Sequence, residues 1–295
     1  MSNKVLILGG SGMLGHKAYQ VISRYYKTFV TFRNYDDKLR ETNIFNKSQI
    51  IDAVNAFDLE NIKKIIQTMK PKYILNCIGI IKQKETIKNA KLAIFINSLF
   101  PHLIADICSK MGSKLIHIST DCVFSGKTGN YTEKDVSDAE DFYGKSKYLG
   151  EVGYRGHLTI RTSIIGRELF TNYSLVNWLV SNKNKEVPGY KNAIYTGLTT
   201  IALSKEIVRI INKFPHLHGL YHVSSERISK FDLLVLINKI FKLKVNILPN
   251  YDYFCDRSLT FTKYQKQTNY RPYSWKSMIY EMYADKTNYG RRENS

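Results

Sequence analysis

The stretch KVLILGGSGMLGHKAYQVI, residues 4–22, decides the fold of this chain. Its continuous apolar run, Val5–Leu8, predicts a buried strand, and apolar residues at helical spacing predict a helix from Met13 to about Arg24. Glycines recur at every third position where the strand ends and the helix begins, at Gly9, Gly12 and Gly15. Because glycine destabilises the interior of a strand or helix, these glycines serve either a tight turn or a ligand that needs bare backbone.

The rest of the first half repeats this alternation of short apolar runs and amphipathic segments. It predicts further strands at Phe29–Phe32, Tyr73–Ile78 and Lys114–Ser119, and a short strand region or its approach within Ile50–Phe57. It predicts further helices at Asn61–Lys70 and at Leu92–Met111, the second bent near Pro101. Strands that alternate with helices are typical of a parallel sheet with helices on both faces, so we predict an α/β fold with a doubly wound parallel sheet.

Charge and composition narrow the function classes. The formal net charge is +19, from 44 Lys and Arg against 25 Asp and Glu. The basic residues are spread along the chain, which argues against a nucleic-acid interface and suits an anionic small molecule such as a nucleotide. The uncharged stretch Leu92–Ala105 is shorter than the ~18 apolar residues of a membrane span, and the N-terminal apolar run is too short for a signal peptide. We therefore expect a cytoplasmic protein with no membrane or nucleic-acid partner.

The four cysteines, Cys77, Cys108, Cys122 and Cys255, form no CxxC pair. Their spacing indicates neither a metal site nor a disulfide framework, and no metal is predicted.

The glycine turn is a stronger signal of a binding site than the cysteines are. In an open α/β sheet, the turn after the first strand begins the first helix, whose backbone N–H groups and dipole bind anions. Glycines there permit the tight turn and the close approach of a pyrophosphate, although an ordinary turn without ligand is the alternative.

A second constellation lies in HISTDCVFSG, residues 117–126, and DFYGKSKYLGE, residues 141–151. Ser119 and Thr120 end a predicted strand, at the edge where ligands bind in open α/β sheets. Tyr143 and Lys147 are four residues apart and share one face of a helix. A nearby ammonium lowers the pKa of a phenol, and a hydroxyl can bind the same substrate oxygen. Together these groups would stabilise and protonate an alkoxide that forms as hydride arrives.

These motifs resemble those of the extended short-chain dehydrogenases/reductases, and within them the dTDP-4-dehydrorhamnose reductase-like proteins. GGSGMLG resembles the family's GxxGxxG turn, HISTDCVFSG its STDYVFDG stretch, and FYGKSKYLGE its VYGxSKxxGE helix. LTIRTSIIG, residues 158–166, and HGLYHVSSERISKFDLL, residues 218–234, resemble later segments. The resemblance implies a Rossmann-type domain over residues 1–165 and a smaller, partly interleaved C-terminal α/β substrate region over residues 166–295.

By this resemblance Thr120, Tyr143 and Lys147 form the catalytic triad, with Tyr143 as the acid and Ser119 as the alternative hydroxyl. Lys147 would also hold the nicotinamide ribose. The implied cofactor-binding residues are Gly9, Ser11, Gly12, Met13, Leu14, Gly15, Arg33, Asp58, Leu59, Cys77, Ile78, Gly79, Asn97, Ser119, Tyr143 and Lys147. Because Arg33 follows strand two where an NAD enzyme carries an acidic residue, we expect NADPH, with NADH as the alternative.

The C-terminal part carries fewer motif residues. The substrate-binding candidates are Lys82, Cys122, Val123, Asn172, Trp178 and Arg257, of which Lys82 and Arg257 would meet a diphosphate. The predicted function is NADPH-dependent reduction of a nucleotide-activated 4-keto-6-deoxy sugar, for the biosynthesis of surface polysaccharide. Because the enzymes that this sequence resembles are often dimers, a homodimer is also expected. A nucleotide-sugar epimerase of the same fold and a non-catalytic NAD(P)-binding regulatory subunit are the alternatives.

Overall fold

The computed structural model describes residues 4–82 and 85–289. One parallel sheet forms its centre. Its strands are β1 (Lys4–Leu8), β2 (Lys27–Thr31), β3 (Ile50–Ile51), β4 (Tyr73–Asn76), β5 (Lys114–Thr120), β6 (Leu158–Thr162) and β11 (Gly219–His222). Their spatial order is β11-β6-β5-β4-β1-β2-β3. The order reverses between β1 and β4, which opens a crevice at the carboxyl edge of the sheet. The predicted doubly wound parallel sheet is confirmed.

Helices cover the sheet and fill the C-terminal part. They are α1 (Met13–Ile22), α2 (Asp37–Glu41), α3 (Leu59–Met69), α4 (Ala90–Ala93), α5 (Phe100–Met111), α6 (Phe142–Leu149), α7 (Leu175–Ser181), α8 (Thr200–Lys213), α9 (Lys230–Phe241), α10 (Thr262–Thr268) and α11 (Trp275–Tyr283). Short strands add three small sheets: β7 (Ile164–Ile165) with β10 (Leu198–Thr199), β9 (Ala193–Tyr195) with β12 (Ile228–Ser229) and β14 (Cys255–Asp256), and β8 (Glu186–Tyr190) with β13 (Asn246–Asn250).

Strand β1 shows why the sheet is buried on both sides. Successive side chains of a strand point to opposite faces. Val5 and Ile7 accordingly join the hydrophobic cluster that contains α1 and α8, whereas Leu6 and Leu8 join the cluster that contains α3 and α5. A continuous apolar run is the sequence pattern that such double burial requires.

The helix that follows β4 is irregular. A π-helical turn, Ile94–Leu99, joins α4 and α5 into one continuous helix from Ala90 to Met111. Pro101 lies in the first turn of α5, where its missing N–H is tolerated, so the irregularity lies upstream of the predicted position. This is the one helix of the described residues that is long and apolar enough to cross a membrane, but half of it is buried in the fold, against α3 and β5.

The strand region predicted within Ile50–Phe57 is β3, at the start of that range. Strand β3 has two residues, because Ala53 adopts a left-handed conformation (φ 56°) that ends the extended backbone. Asp58 then begins α3 as its N-cap, with its carboxylate accepting from the Asn61 amide at 3.0 Å. The capping places the helix start at Leu59, two residues before the predicted one.

The C-terminal half is interwoven with the first. Strand β11 pairs with β6 and extends the central sheet, and α8 packs along α1. The buried Lys17 ammonium, on α1, donates to the Asp285 carboxylate at 2.6 Å and to the Thr287 hydroxyl at 2.9 Å. The end of the described chain is thereby fastened to the first helix. The domain boundary after residue 165 stays a prediction.

Candidate active site

The three glycines of the first turn have three different physical roles. Gly9 has a φ of 91°, which side-chain-bearing residues rarely adopt, so it makes the turn. A Cβ on Gly15 would lie 2.0 Å from the Gly9 carbonyl oxygen, so this glycine lets helix and strand pack closely. A Cβ on Gly12 would meet only the Gly9 carbonyl oxygen, at an ordinary 3.6 Å. The space around position 12 would admit a methyl group, and Gly12 is the N-cap of α1.

A cleft of about 660 Å³ opens from this turn at the carboxyl edge of the sheet. Its lining comes from the glycine turn, the ends of β4 and β5, helix α6 and loops of the C-terminal part. Ten of the predicted cofactor residues line it: Ser11, Gly12, Met13, Leu14, Cys77, Ile78, Gly79, Ser119, Tyr143 and Lys147. The two constellations found in the sequence therefore share one cavity.

Helix α6 presents the predicted acid and its lysine to this cleft. Asp141 caps the helix by accepting from the Gly144 amide at 2.7 Å. A Cβ on Gly144 would lie 2.1 Å from the Cys122 carbonyl oxygen, so the helix rests directly on the loop after β5. Tyr143 and Lys147 follow one turn apart on the side that lines the cleft.

The structure separates the two candidate hydroxyls. The Thr120 side chain lies next to the Tyr143 phenol, and its hydroxyl donates to Asp121 Oδ1 at 3.1 Å. The Ser119 hydroxyl instead donates to Glu151 Oε1 at 2.7 Å, and Arg161 holds the same carboxylate with two contacts of 2.7 Å. Thr120 therefore has the position expected of the catalytic hydroxyl, whereas Ser119 takes part in a buried ion-pair network behind it.

Burial controls the protonation of the site. It raises the pKa of Tyr143 well above its ordinary value, and the neighbouring Cys122 and Asp121 act in the same direction. Burial also lowers the pKa of Lys147 to about 8, although the Glu151 carboxylate favours the ammonium. We expected the Lys147 ammonium to lower the pKa of the phenol; burial instead raises it. Tyr143 is consequently a phenol at neutral pH, which is the form that a proton donor needs.

Lys147 and the two cleft cysteines complete this region. The Lys147 ammonium donates to the Ile118 carbonyl oxygen at 2.8 Å, which fixes its direction. Burial raises the pKa of Cys77 and of Cys122 to about 12 each. Both are therefore neutral thiols at physiological pH, and neither has the low pKa of a nucleophilic cysteine.

Asn97 acts from behind the cleft. Its amide oxygen accepts from the Ile80 amide at 2.8 Å, and its amide nitrogen donates to the Ile80 carbonyl oxygen and the Ser146 hydroxyl, each at 3.1 Å. These bonds join the loop after β4 to helix α6. The π-helical turn carries Asn97 at the point where both segments meet, and the side chain is 1% exposed.

Six predicted cofactor residues are outside the cleft lining. Gly9 and Gly15 lie in the first turn and Asn97 lies behind the cleft, and the other three belong to the segments after β2 and β3. Arg33 is exposed beyond the end of β2, Asp58 is the cap of α3, and Leu59 packs on the core. The acidic residue directly after β3 is Asp52, which was not among the predicted cofactor residues. Asp52 Oδ1 accepts from the Tyr35 amide at 2.8 Å and thereby joins the loops after β2 and β3. Its place at the end of a strand is the signal that could have found it.

The predicted substrate residues separate into two groups. Lys82, Cys122 and Arg257 line the cleft. Val123 is fully buried in a small apolar cluster, Trp178 packs against the main core, and Asn172 is exposed, at 3.5 Å from the Asn177 amide nitrogen. Sequence reasoning missed further lining residues, including Asp121, Tyr195, Lys230 and Tyr253. Asp121 directly follows Thr120, whereas the other three come from segments that are distant in sequence, so no local spacing links them to the motifs.

A parallel sheet with this strand order, a glycine turn after β1 and a Tyr–Lys pair beside a strand-end hydroxyl defines a Rossmann-type nucleotide-binding protein with a reductase-like site. Comparison with known families gives the particular one. Residues 3–287 match the RmlD substrate binding domain family, and the chain belongs to that family. Nearly the whole chain takes part in this match.

Several relatives share part of the sequence. The chain is 27% identical over 180 residues to the spore coat polysaccharide biosynthesis protein SpsK of Bacillus subtilis, a match that covers 59% of this chain and 62% of that relative. It is 26% identical over 250 residues to the dTDP-4-dehydrorhamnose reductase of Aggregatibacter actinomycetemcomitans, covering 79% and 78%. It is also 23% identical over 254 residues to methionine adenosyltransferase 2 subunit beta of Xenopus laevis, covering 82% and 73%.

Solved structures show the same fold. A dTDP-4-dehydrorhamnose reductase from Bacillus anthracis in complex with NADP superposes with a TM-score of 0.80 at 22% identity, covering 96% of this chain and 99% of that one. The Bordetella bronchiseptica enzyme WbmG in complex with NAD and UDP gives a TM-score of 0.76 at 15% identity, covering 95% and 92%.

Proposed function

We propose that this protein is an NADPH-dependent reductase of a nucleotide-activated 4-keto-6-deoxy sugar. The observation that carries the proposal is the Tyr143 phenol, which lies next to Thr120 and one helical turn from Lys147 in the cleft that opens at the glycine turn. The names of the relatives support it, since they include a dTDP-4-dehydrorhamnose reductase and a structure in complex with NADP. A role in surface polysaccharide is supported by the name of SpsK.

The residues of the first turn fit a dinucleotide. The bare backbone at Gly12 and the start of α1 suit a pyrophosphate, because helix N-terminal N–H groups bind anions. When bound, NADPH supplies the hydride. Lys147 would hold the nicotinamide ribose, and Cys77, Ile78 and Gly79 would line the nicotinamide side of the cleft. Arg33 would meet the 2′-phosphate, and NADH remains the alternative cofactor.

Three side chains then carry the proton chemistry. The Thr120 hydroxyl and the Tyr143 phenol bind the keto oxygen of the sugar, which places that oxygen at the carboxyl edge of β5. As negative charge develops on this oxygen, the phenol donates its proton and the product is the alcohol. The Lys147 ammonium stabilises the phenolate that remains, until a proton from solvent restores the phenol.

The test uses purified protein, NADPH and a panel of dTDP- and UDP-linked 4-keto-6-deoxy sugars. We expect NADPH consumption with at least one of them, with one nucleotide-linked deoxysugar formed for each NADPH oxidised. Absence of NADPH consumption with every sugar of the panel, under conditions where NADPH binding is measurable, would contradict the proposal.

Two alternatives have distinct signatures. An epimerase of the same fold would purify with tightly bound nicotinamide cofactor and convert a nucleotide sugar without net oxidation. A regulatory subunit is suggested by the likeness to methionine adenosyltransferase 2 subunit beta. Retention of Thr120, Tyr143 and Lys147 in one cleft favours the reductase over it. The cytoplasmic location and the homodimer stay predictions.

A further inference from the structure

The cleft has a basic half that the reduction chemistry does not explain. Four cationic side chains line the cleft, Lys82, Lys147, Lys230 and Arg257, against two carboxylates, Asp121 and Glu168. Such an excess of positive charge favours an anionic ligand.

Two of these cations are already engaged in fixed contacts. Lys82 pairs with Asp141 at 2.9 Å, and Lys147 donates to the Ile118 carbonyl oxygen at 2.8 Å. Lys230 and Arg257 remain, and both face the Asp121 carboxylate.

Lys230 lines the cleft at the start of a helix and beside an aromatic ring. It is the first residue of α9, directly after the capping residue Ser229, so the positive end of the helix dipole lies beside it. Its ammonium lies 4.5 Å from the centre of the Tyr195 ring, and that ring is 4% exposed. Within residues 4–82 and 85–289 the ammonium donates no hydrogen bond and forms no salt bridge, so its hydrogen-bonding capacity is available to a ligand.

Arg257 is anchored beside it by one edge of the guanidinium. Its Nε donates to the Phe124 carbonyl oxygen at 2.8 Å, and Nη1 lies 3.7 Å from Cys122 Sγ. Cys122 adjoins both Asp121 and the Tyr143 phenol. The two cations are thus next to the residues that follow Thr120, on the substrate side of the proton donor.

We propose that Lys230 is a substrate-binding residue that, together with Arg257, binds the diphosphate of the nucleotide sugar. This inference rests on the proposed function. In a nucleotide sugar whose C4 keto oxygen meets Tyr143, the anomeric phosphate lies across the pyranose ring from that oxygen. The planar guanidinium suits two oxygens of one phosphoryl group, and the ammonium suits the other as a point charge.

The test is calorimetric titration of dTDP and of UDP into protein saturated with NADPH, so that the cofactor's own diphosphate site is occupied. The variants are Lys230→Met, which keeps the length of the side chain, and Lys230→Arg, which keeps its charge. Lys213→Met, at an exposed lysine at the end of α8, is the matched control. We expect Lys230→Met to weaken nucleoside diphosphate binding by about tenfold or more, with Lys230→Arg and Lys213→Met within about threefold of the wild type.

Binding of dTMP adds a second readout, because the loss in Lys230→Met should be larger for dTDP than for dTMP. Unchanged diphosphate affinity in Lys230→Met, with NADPH binding intact, would overturn the inference and leave the proposed function standing. A wild type that binds NADPH but neither dTDP nor UDP would overturn both.

Discussion

At the scale of single residues, the first turn offers the sharpest contrast. Gly12→Ala places its methyl group at an ordinary distance from protein atoms, whereas Gly15→Ala collides with the Gly9 carbonyl oxygen. We expect Gly12→Ala to fold with the stability of the wild type but to bind NADPH at least about tenfold more weakly, because the methyl group obstructs the pyrophosphate. Gly15→Ala should lower the melting temperature. Fluorescence titration and thermal denaturation measure both, and unchanged NADPH affinity in Gly12→Ala would contradict the role given to that glycine.

The pH dependence of the reaction follows from Lys147. Burial lowers its pKa to about 8, so the ammonium is present below that pH and is lost as the pH rises through it. The pKa of Tyr143 lies well above this range, so its proton is retained. We expect kcat/KM of the reductase to fall on the alkaline side with a midpoint near 8. A pH–rate profile that stays level up to pH 10 would show that the charge of Lys147 is not needed.

Cofactor choice is argued at Arg33. Its exposed guanidinium follows β2, where it would pair with a 2′-phosphate. Arg33→Ala should weaken NADPH binding by about tenfold and leave NADH binding unchanged, since only NADPH carries that phosphate. Equal effects on both cofactors, measured by titration, would remove Arg33 as the reason for the preference.

At the scale of elements, the π-helical turn connects the cofactor loop with the catalytic helix. Asn97→Ala deletes three hydrogen bonds and leaves buried polar atoms of Ile80 without their partner. We expect a loss of about 2 kcal/mol or more in the free energy of unfolding, measured with urea. The exposed Asn34→Ala is the control and should stay near the wild-type value. A stability equal to that of the control would refute this role for Asn97.

The elements themselves were predictable where burial is continuous. The apolar run of β1 and the stripe of α3 decide their structures because both are buried on the sheet. The residue at which β3 ends and the π-helical turn were not predictable. The backbone at Ala53 and the contacts of Asn97 depend on distant residues rather than on local propensity. The sequence likewise could not separate Ser119 from Thr120. The difference between them depends on the hydrogen bond from the Ser119 hydroxyl to Glu151, which only the structure shows.

At the scale of the whole molecule, the end of the described chain stabilises its beginning. Lys17 is 3% exposed and pairs with Asp285 across 268 residues. Asp285→Ala should lower the free energy of unfolding by on the order of 3 kcal/mol, because it leaves a buried ammonium unpaired. The double variant Lys17→Met/Asp285→Ala should recover part of this loss. Additive losses in urea denaturation would contradict the pairing.

The two sides of the cleft differ in how far the sequence predicts them. The side of the cleft with the glycine turn and Tyr143 is formed by motifs that can be recognised in the sequence. The sequence therefore predicted that these two features share one site. The rest of the cleft combines Tyr195 of β9, Lys230 of α9 and Tyr253 of a loop. Only the folded chain places them together, and for this reason Trp178 and Val123 were predicted as substrate residues although they pack in the core.

The most direct test of the central claim is the rate of NADPH oxidation by wild type and Tyr143→Phe with the best sugar of the panel, at matched cofactor occupancy. The account predicts that the variant binds NADPH as the wild type does but turns over at least about a hundredfold more slowly, since the phenol hydroxyl is the proton donor. A Tyr143→Phe protein that oxidises NADPH at the wild-type rate would contradict it.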